Sequence, residues 1–167
     1  NRGLLPPGFS LVGFARREKT DETFRRELEE AARKFSRSGL NDEVWASFAE
    51  RLFYHRSEFG DAEGYRRLAE RLDQLDEARG TRGNRLFYLA TQPSQFSEIV
   101  AQLGRVGLDH ERHDGGWRRV VIEKPFGHDV ASARSLSDAL SRLLSEDQIF
   151  RIDHYLGKET VQNLMAL

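Results

Sequence analysis

The sequence predicts an α/β fold built on a doubly wound, mainly parallel sheet. Short apolar runs alternate along the chain with stretches of about ten or more residues in which apolar side chains recur at helical spacing. Strands and helices that alternate in this way are typical of parallel sheets whose strands are joined by helical crossovers. With 167 residues, the chain is long enough for one such domain, or for one domain and part of another.

The first half contains two predicted strands and three predicted helices. Apolar side chains at Phe24, Leu28 and Phe35 recur at helical spacing, and each predicted helix begins at a Thr, Asn or Asp residue that can cap it. In chain order the elements are a strand over 8–15, a helix from Thr20 or Asp21 to about Ser38, a helix from Asn41 or Asp42, a strand over 51–56, and a helix from Asp61 to Gly80.

The second half continues the alternation up to residue 147. Pro93 ends one strand, and Ser94 can cap the helix that follows. In chain order the elements are a strand over 84–90, a helix from Ser94, a polar loop over 104–116, a strand over 117–122 and a helix over 129–144. The pattern breaks in 148–167, where acidic, basic, imidazole and phenol side chains lie within a few positions of one another.

The composition excludes several classes of protein. The 26 basic and 27 acidic residues give a net charge of −1, which lacks the basic field that nucleic acids require. No apolar stretch approaches the ~18 residues that a membrane helix needs. The chain has no cysteine, so thiolate chemistry and disulfides are excluded, and this fits a cytoplasmic protein. We therefore expect a protein that binds neither nucleic acid nor membrane.

Arg16 and Arg17 directly follow the first predicted strand. In a dinucleotide-binding sheet, an acid after the second strand binds the ribose hydroxyls, whereas an arginine accommodates a 2′-phosphate. The pair therefore points to NADP, and the alternative is a solvated basic turn. No G-x-G-x-x-G pattern occurs in the chain, so we expect the sheet to lack its first strand-helix unit, with that unit preceding Asn1.

Lys124 follows the strand predicted over 117–122. Lysine is rare in this chain, with four lysines against 22 arginines. Because Pro125 restricts the backbone of the residue before it, Lys124 is expected to be held in an extended geometry at the end of the strand. A fixed ammonium group there can meet an anionic ligand, and the alternative is a turn lysine in water.

Residues 151–159 (RIDHYLGKE) combine donors and acids around a glycine. His154, Tyr155 and Lys158 can donate to phosphate oxygens, so the segment suits a phosphosugar better than a metal. Asp153 can orient and stabilise an imidazole supplied from elsewhere. The alternative is a loop that leads into a helix, with Asp153 as its cap. His110 and His113 lie in a loop without an evident third ligand, so no metal is expected.

Residues 151–159 resemble the hallmark segment of the glucose-6-phosphate dehydrogenase family. Three other segments resemble motifs of that family in the same order: 13–17 (GFARR), 86–93 (LFYLATQP) and 123–127 (EKPFG). Gln92 stands where the family usually has the first of two prolines. The resemblance extends over the whole chain and implies a Rossmann-like NADP-binding domain over 1–150, followed by the start of an α+β substrate-binding domain over 151–167.

The family oxidises glucose 6-phosphate at C1 to 6-phosphogluconolactone, with hydride passing to NADP. The resemblance implies cofactor contacts from Arg16, Arg17, Ala90, Pro93 and Lys124. It implies glucose 6-phosphate contacts from Lys124, His154, Tyr155 and Lys158. Asp153 would be the catalytic carboxylate that supports a histidine base.

That histidine base is expected downstream of Leu167, so the resemblance implies an internal fragment of a homo-oligomeric enzyme that is inactive by itself. Two other hypotheses remain open. The first is a non-catalytic module that binds nucleotides or sugar phosphates. The second is a structural α/β protein whose motifs are coincidental.

Overall fold

The computed structural model describes residues 5–36, 39–111, 116–126 and 129–152. The chain forms two compact units that divide between Thr81 and Arg82. The first unit contains β1 (Leu11–Ala15), α1 (Asp21–Phe35), α2 (Asp42–Ala49), β2 (Leu52–Arg56) and α3 (Ala62–Arg79). The second contains β3 (Arg85–Leu89), α4 (Phe96–Arg105), β4 (Arg118–Glu123), α5 (Val130–Ser141) and β5 (Ile149–Ile152), with short 3₁₀ helices at Pro93–Gln95 and Glu146–Gln148.

All strand pairs within the two units are parallel. In the first unit β1 pairs with β2, and in the second β4 lies between β3 and β5. Each parallel pair is joined by a helical connection, so the α/β class predicted from the sequence is confirmed. None of the described helices is long and apolar enough to cross a membrane.

Helices α1, α2, α3 and α5 begin where the sequence predicts, because polar side chains cap them. The Thr20 hydroxyl accepts from the Thr23 amide at 3.2 Å, and the Asn41 side chain accepts from the Val44 amide at 2.9 Å. Gly80 ends α3 with φ 65°, a left-handed conformation that suits glycine. Ser94 is not a cap, since Pro93 starts a 3₁₀ turn that leads into α4 without a side-chain cap.

Several elements differ from the sequence-based expectation. Strand β1 begins at Leu11 rather than at residue 8, and helix α5 ends at Ser141 rather than at residue 144. Helix α1 ends at Phe35, and Ser36 is its C-cap residue. The sequence predicts an end at about residue 38. Strand β5 was not predicted, and it continues through the expected domain boundary between residues 150 and 151, because Ile152 still pairs in register with Glu123 of β4. The division into domains over 1–150 and 151–167 stays a prediction.

Each unit has an apolar core. In the first unit Leu52 and Tyr65 are almost fully buried, and the Phe24 ring lies so close to Gly13 that an added Cβ would come within 2.7 Å of it. This close approach explains why a glycine stands in the middle of β1. In the second unit the most buried apolar residues come from β4, α4 and α5: Val120, Ile122, Phe96, Val100 and Leu140.

The edge of β2 that does not pair with β1 is covered by side chains. Asp21 accepts a hydrogen bond from the Tyr54 amide at 2.6 Å, and Arg71 donates to the Tyr54 carbonyl at 2.7 Å. Arg71 also pairs with both carboxylate oxygens of Asp21, at 2.8 and 2.9 Å. Arg25 donates to the Leu52 carbonyl at 2.9 Å. These backbone amide and carbonyl groups, which could otherwise pair with another strand, are therefore hydrogen-bonded within the unit.

His55 on β2 is a buried core residue. Its ring stacks on Phe14 at 5.5 Å between centroids, and its Nε2 donates to the Gly64 carbonyl at 2.9 Å. Burial lowers the pKa of His55 below its usual 6.5, and the charges of Arg71 and Arg67 act in the same direction. The folded chain therefore holds this imidazole neutral.

We expect the free energy of unfolding to fall as the pH is lowered from about 7 to about 5.5. The unfolded chain takes up a proton on His55 near pH 6.5, while the folded chain does so only at lower pH. Asp61, whose pKa lies below its usual 3.8, titrates outside this window. Urea unfolding of the chain and of His55→Gln at several pH values measures the effect. An equally steep pH dependence in His55→Gln would refute the assignment to His55.

Candidate functional site

Three arginines gather at the carboxyl end of the β1–β2 pair. Ala15, the last residue of β1, pairs in register with Arg56, the last residue of β2, and Arg16 and Arg17 follow Ala15 directly. All three arginine side chains are exposed. Ligands of parallel sheets bind beyond the carboxyl ends of the strands. We name this group of Arg16, Arg17 and Arg56 the arginine edge.

The backbone of the arginine edge is fixed by Tyr54 of β2. The Tyr54 hydroxyl donates to the Arg17 carbonyl at 2.6 Å and lies 3.3 Å from the Ala15 carbonyl. The tyrosine is buried, and its ring packs against Phe24 at 5.3 Å between centroids. The turn that carries the arginines therefore rests on the core of the first unit, while the guanidinium groups remain accessible.

Two glutamates lie among these arginines. Glu58 Oε2 is 3.9 Å from Arg16 Nε, and Glu18 Oε1 is 3.4 Å from Arg56 Nη1. The side chains of Arg16 and Glu58 are 71% and 67% exposed, so this ion pair is weak and open to a ligand. With three arginines and two glutamates, the edge keeps a small excess of positive charge.

A second set of predicted residues lies at the carboxyl end of the β3–β4–β5 sheet. Leu89 pairs with Ile122, so Ala90 and Lys124, each of which directly follows its strand, emerge at the same end. The Lys124 amide donates to the Ile152 carbonyl at 3.3 Å, and the Lys124–Pro125 peptide is cis. We name the group of Ala90, Thr91 and Lys124 the lysine edge.

Polar groups lie at the lysine edge and on the strand residues beside it, and they differ in their hydrogen bonding. The Tyr88 hydroxyl donates to Glu123 Oε1, and this hydrogen bond raises the pKa of Tyr88. Thr91 Oγ1 is buried and has no hydrogen-bond partner in the described part of the chain. Pro93 begins the 3₁₀ turn that leads from this edge into α4. The Lys124 side chain is exposed, as a ligand-binding ammonium group requires.

Several predicted site residues lie outside the described residues. They are Asp153, His154, Tyr155 and Lys158 of the 151–159 segment. Ile152, the second residue of that segment, is the last residue of β5 and lies beside Lys124. His113 is also outside the described residues, and His110 pairs with Asp109. Within the ranges that the structure describes, no cluster of three His, Asp or Glu side chains could hold a metal ion.

Sequence reasoning missed Arg56, Glu58 and Thr91. Arg56 ends a predicted strand and Glu58 follows it by two residues, so the rule that selected Arg16 also applies to them. That rule becomes specific only when β2 is known to lie beside β1 in parallel register. Thr91 lies within a predicted motif, but its buried hydroxyl is visible only in three dimensions.

The residues of the arginine edge fit an anionic cofactor. Guanidinium groups match phosphate oxygens in a bidentate manner, and Arg16 is largely exposed on a backbone that Tyr54 holds in place. The acids beside them can accept hydrogen bonds from ribose hydroxyls. This donor and acceptor set suits the adenosine end of a nicotinamide dinucleotide.

Parallel strands joined by helices, with arginine and lysine side chains after the strand ends, define an α/β domain of the dinucleotide-binding class. A family model described as "Glucose-6-phosphate dehydrogenase, NAD binding domain" matches residues 1–163. The chain belongs to the glucose-6-phosphate dehydrogenase family, as the sequence motifs predict.

Relatives and solved structures agree with this assignment. Glucose-6-phosphate 1-dehydrogenase of Chlamydia pneumoniae is 51% identical over 166 residues, which cover 98% of this chain and 32% of that protein. Glucose-6-phosphate 1-dehydrogenase 2 of Mycobacterium tuberculosis H37Rv is 48% identical over 167 residues, with coverage of 100% and 32%. A structure of glucose-6-phosphate dehydrogenase in complex with its substrate glucose-6-phosphate matches with a TM-score of 0.83 and 36% identity, covering 97% of this chain and 33% of that one. The chain thus spans about a third of the length of the relatives it matches.

Proposed function

We propose that this chain is the cofactor-binding part of a glucose-6-phosphate dehydrogenase that uses NADP. The complete protein would oxidise glucose 6-phosphate at C1 to 6-phosphogluconolactone. The observation that carries this proposal is the lysine edge, where the motifs 86–93 and 123–127 include the ends of two neighbouring parallel strands and the motif 151–159 begins in the strand beside them. The motifs therefore converge on one end of one sheet, as a site that brings cofactor and substrate together requires.

At the arginine edge, Arg16 would bind the 2′-phosphate of NADP. Arg17 would contact the same phosphate or the adenine, since a guanidinium can also stack on a flat ring. Both side chains are exposed, and the Tyr54 hydroxyl fixes the backbone of this turn by donating to the Arg17 carbonyl. The 2′-hydroxyl of NAD is neutral and is attracted to these cations less strongly than the 2′-phosphate of NADP. The arginines therefore favour NADP over NAD.

At the lysine edge, Lys124 would contact both cofactor and substrate, while Ala90 and Pro93 would border the cofactor. A bound nicotinamide supplies the acceptor for the hydride that leaves C1. Lys124 lies beside Ile152, which belongs to the 151–159 segment. There His154, Tyr155 and Lys158 would hold the sugar phosphate, and Asp153 would orient the histidine base. The complete protein is proposed to act in the cytoplasm as a homo-oligomer.

Replacing Arg16 with alanine tests the cofactor assignment. Loss of charge-assisted hydrogen bonds to the 2′-phosphate should weaken NADP binding by about 10- to 100-fold, while NAD binding changes little. Isothermal titration calorimetry with both cofactors, on protein from the complete reading frame, measures this difference. Arg134→Ala, which removes an exposed arginine from α5, is the matched control. Equal changes for NADP and NAD in Arg16→Ala would contradict the assignment.

A further inference from the structure

Two glutamates beside the arginine edge form ion pairs between the ends of β1 and β2, one in each direction. Glu58 follows β2 and reaches back to Arg16 after β1, at 3.9 Å. Glu18 follows β1 and reaches to Arg56 at the end of β2, at 3.4 Å. Glu58 thus lies beside Arg16, the arginine that the proposed function assigns to the 2′-phosphate.

The Arg16–Glu58 pair contributes little to the fold. Both side chains are more than two-thirds exposed, and exposed ion pairs of this kind are weak. Arg17, by contrast, is tied to the core through its carbonyl, which accepts from Tyr54. Glu58 can therefore move relative to Arg16 without disturbing the turn, and a ligand can replace it as the partner of that guanidinium.

Glu58 affects the two nicotinamide cofactors in opposite ways. The 2′-phosphate of NADP carries about −1.5 to −2 charges, so a carboxylate beside Arg16 repels it and competes for the same guanidinium. The 2′-hydroxyl of NAD is instead a hydrogen-bond donor, which a carboxylate accepts. In dinucleotide-binding sheets an acid after the second strand binds the ribose hydroxyls of NAD. Glu58 follows the neighbouring strand, β2, but its carboxylate lies beside Arg16, which directly follows β1.

We infer that Glu58 is a specificity-determining residue that lets this site accept NAD beside NADP. The inference rests on the proposed function, because it takes Arg16 as the contact of the 2′-phosphate. Arg16 attracts the phosphate and Glu58 offsets part of that attraction, so the ratio of the two affinities depends on both side chains. The site thereby combines the arginine of an NADP site with the acid of an NAD site.

Glu58→Gln tests the inference, because it removes the charge and keeps the size of the side chain. Protein from the complete reading frame is titrated calorimetrically with NADP and NAD, and with adenosine 2′,5′-bisphosphate and 5′-AMP as probes of the adenosine end alone. The Kd for NADP should fall by about three- to tenfold, as expected for removal of one exposed like charge. The Kd for NAD should stay the same or rise. Raising the salt concentration should shrink the NADP effect, because exposed charges are screened.

Two further variants separate the role of Glu58 from a general change of charge. Glu58→Asp keeps the carboxylate and should stay near the wild-type ratio of affinities. Glu43→Gln removes an exposed acid from α2 and should leave the ratio unchanged. If both cofactors bind but Glu58→Gln moves the ratio by less than about twofold, the inference is wrong and the proposed function stands. If wild-type protein binds neither cofactor, both are wrong.

Discussion

The Lys124→Ala variant is expected to have a kcat/KM for glucose 6-phosphate about 10²- to 10³-fold below that of the wild type, the loss that follows removal of one fixed electrostatic contact to reacting groups. Lys124 is placed at the carboxyl end of β4, with its amide bonded to the end of β5, so its ammonium stands where cofactor and substrate would meet. Steady-state rates of NADPH formation by protein from the complete reading frame measure the effect.

The control for this variant is Lys34→Ala, which removes an exposed lysine from α1. It should keep the wild-type rate. Thermal unfolding should be similar in both variants, because the Lys124 side chain is exposed. A Lys124→Ala protein that retains full kcat/KM would show that Lys124 is a turn lysine in water, the alternative that the sequence left open.

The Asp21→Ala variant should lose roughly 2–4 kcal/mol of unfolding free energy, because removing one partner of a half-buried ion pair leaves the other charge and a backbone amide without their bonds. Asp21 accepts from Arg71 with both oxygens and from the Tyr54 amide, so it joins α1, β2 and α3. Its side chain is 24% exposed, and that of Arg71 is 30% exposed. Urea unfolding of the purified chain measures the loss.

Asp42→Ala provides a matched comparison for this stability measurement. Asp42 also lies in the first turn of a helix and also pairs with an arginine, Arg33 at 2.6 Å, but its side chain is 80% exposed. The loss should be much smaller than for Asp21→Ala, since water replaces the partner of an exposed charge. Similar losses in the two variants would refute the role of Asp21 in covering the edge of β2.

The spacing of apolar residues predicts the secondary structure of an element wherever one face of that element is apolar. Helix α4 is such a case, because Phe96, Ile99 and Leu103 recur at helical spacing and are all buried. Strand β5 was missed because it is only four residues long and its apolar run is interrupted by Arg151. Its place in the sheet depends on hydrogen bonds to β4, and this pairing cannot be seen in a local pattern.

The site was predicted where a cationic residue that can bind an anion directly follows a strand. Arg16 and Lys124 were found in this way, and the structure places each at the carboxyl end of a parallel strand. Glu58 was missed because its meaning depends on the register between β1 and β2, which brings it to Arg16. The roles of Asp153 and of its three neighbours in the 151–159 segment remain predictions, because those residues lie outside the described ranges.

The most direct test of the central claim is the rate of NADP reduction by protein from the complete reading frame, with and without glucose 6-phosphate. The account predicts NADPH formation that requires the sugar phosphate and is not supported by unphosphorylated glucose at the same concentration. Binding of NADP and glucose 6-phosphate without any reduction would contradict the claim and favour the non-catalytic binding module.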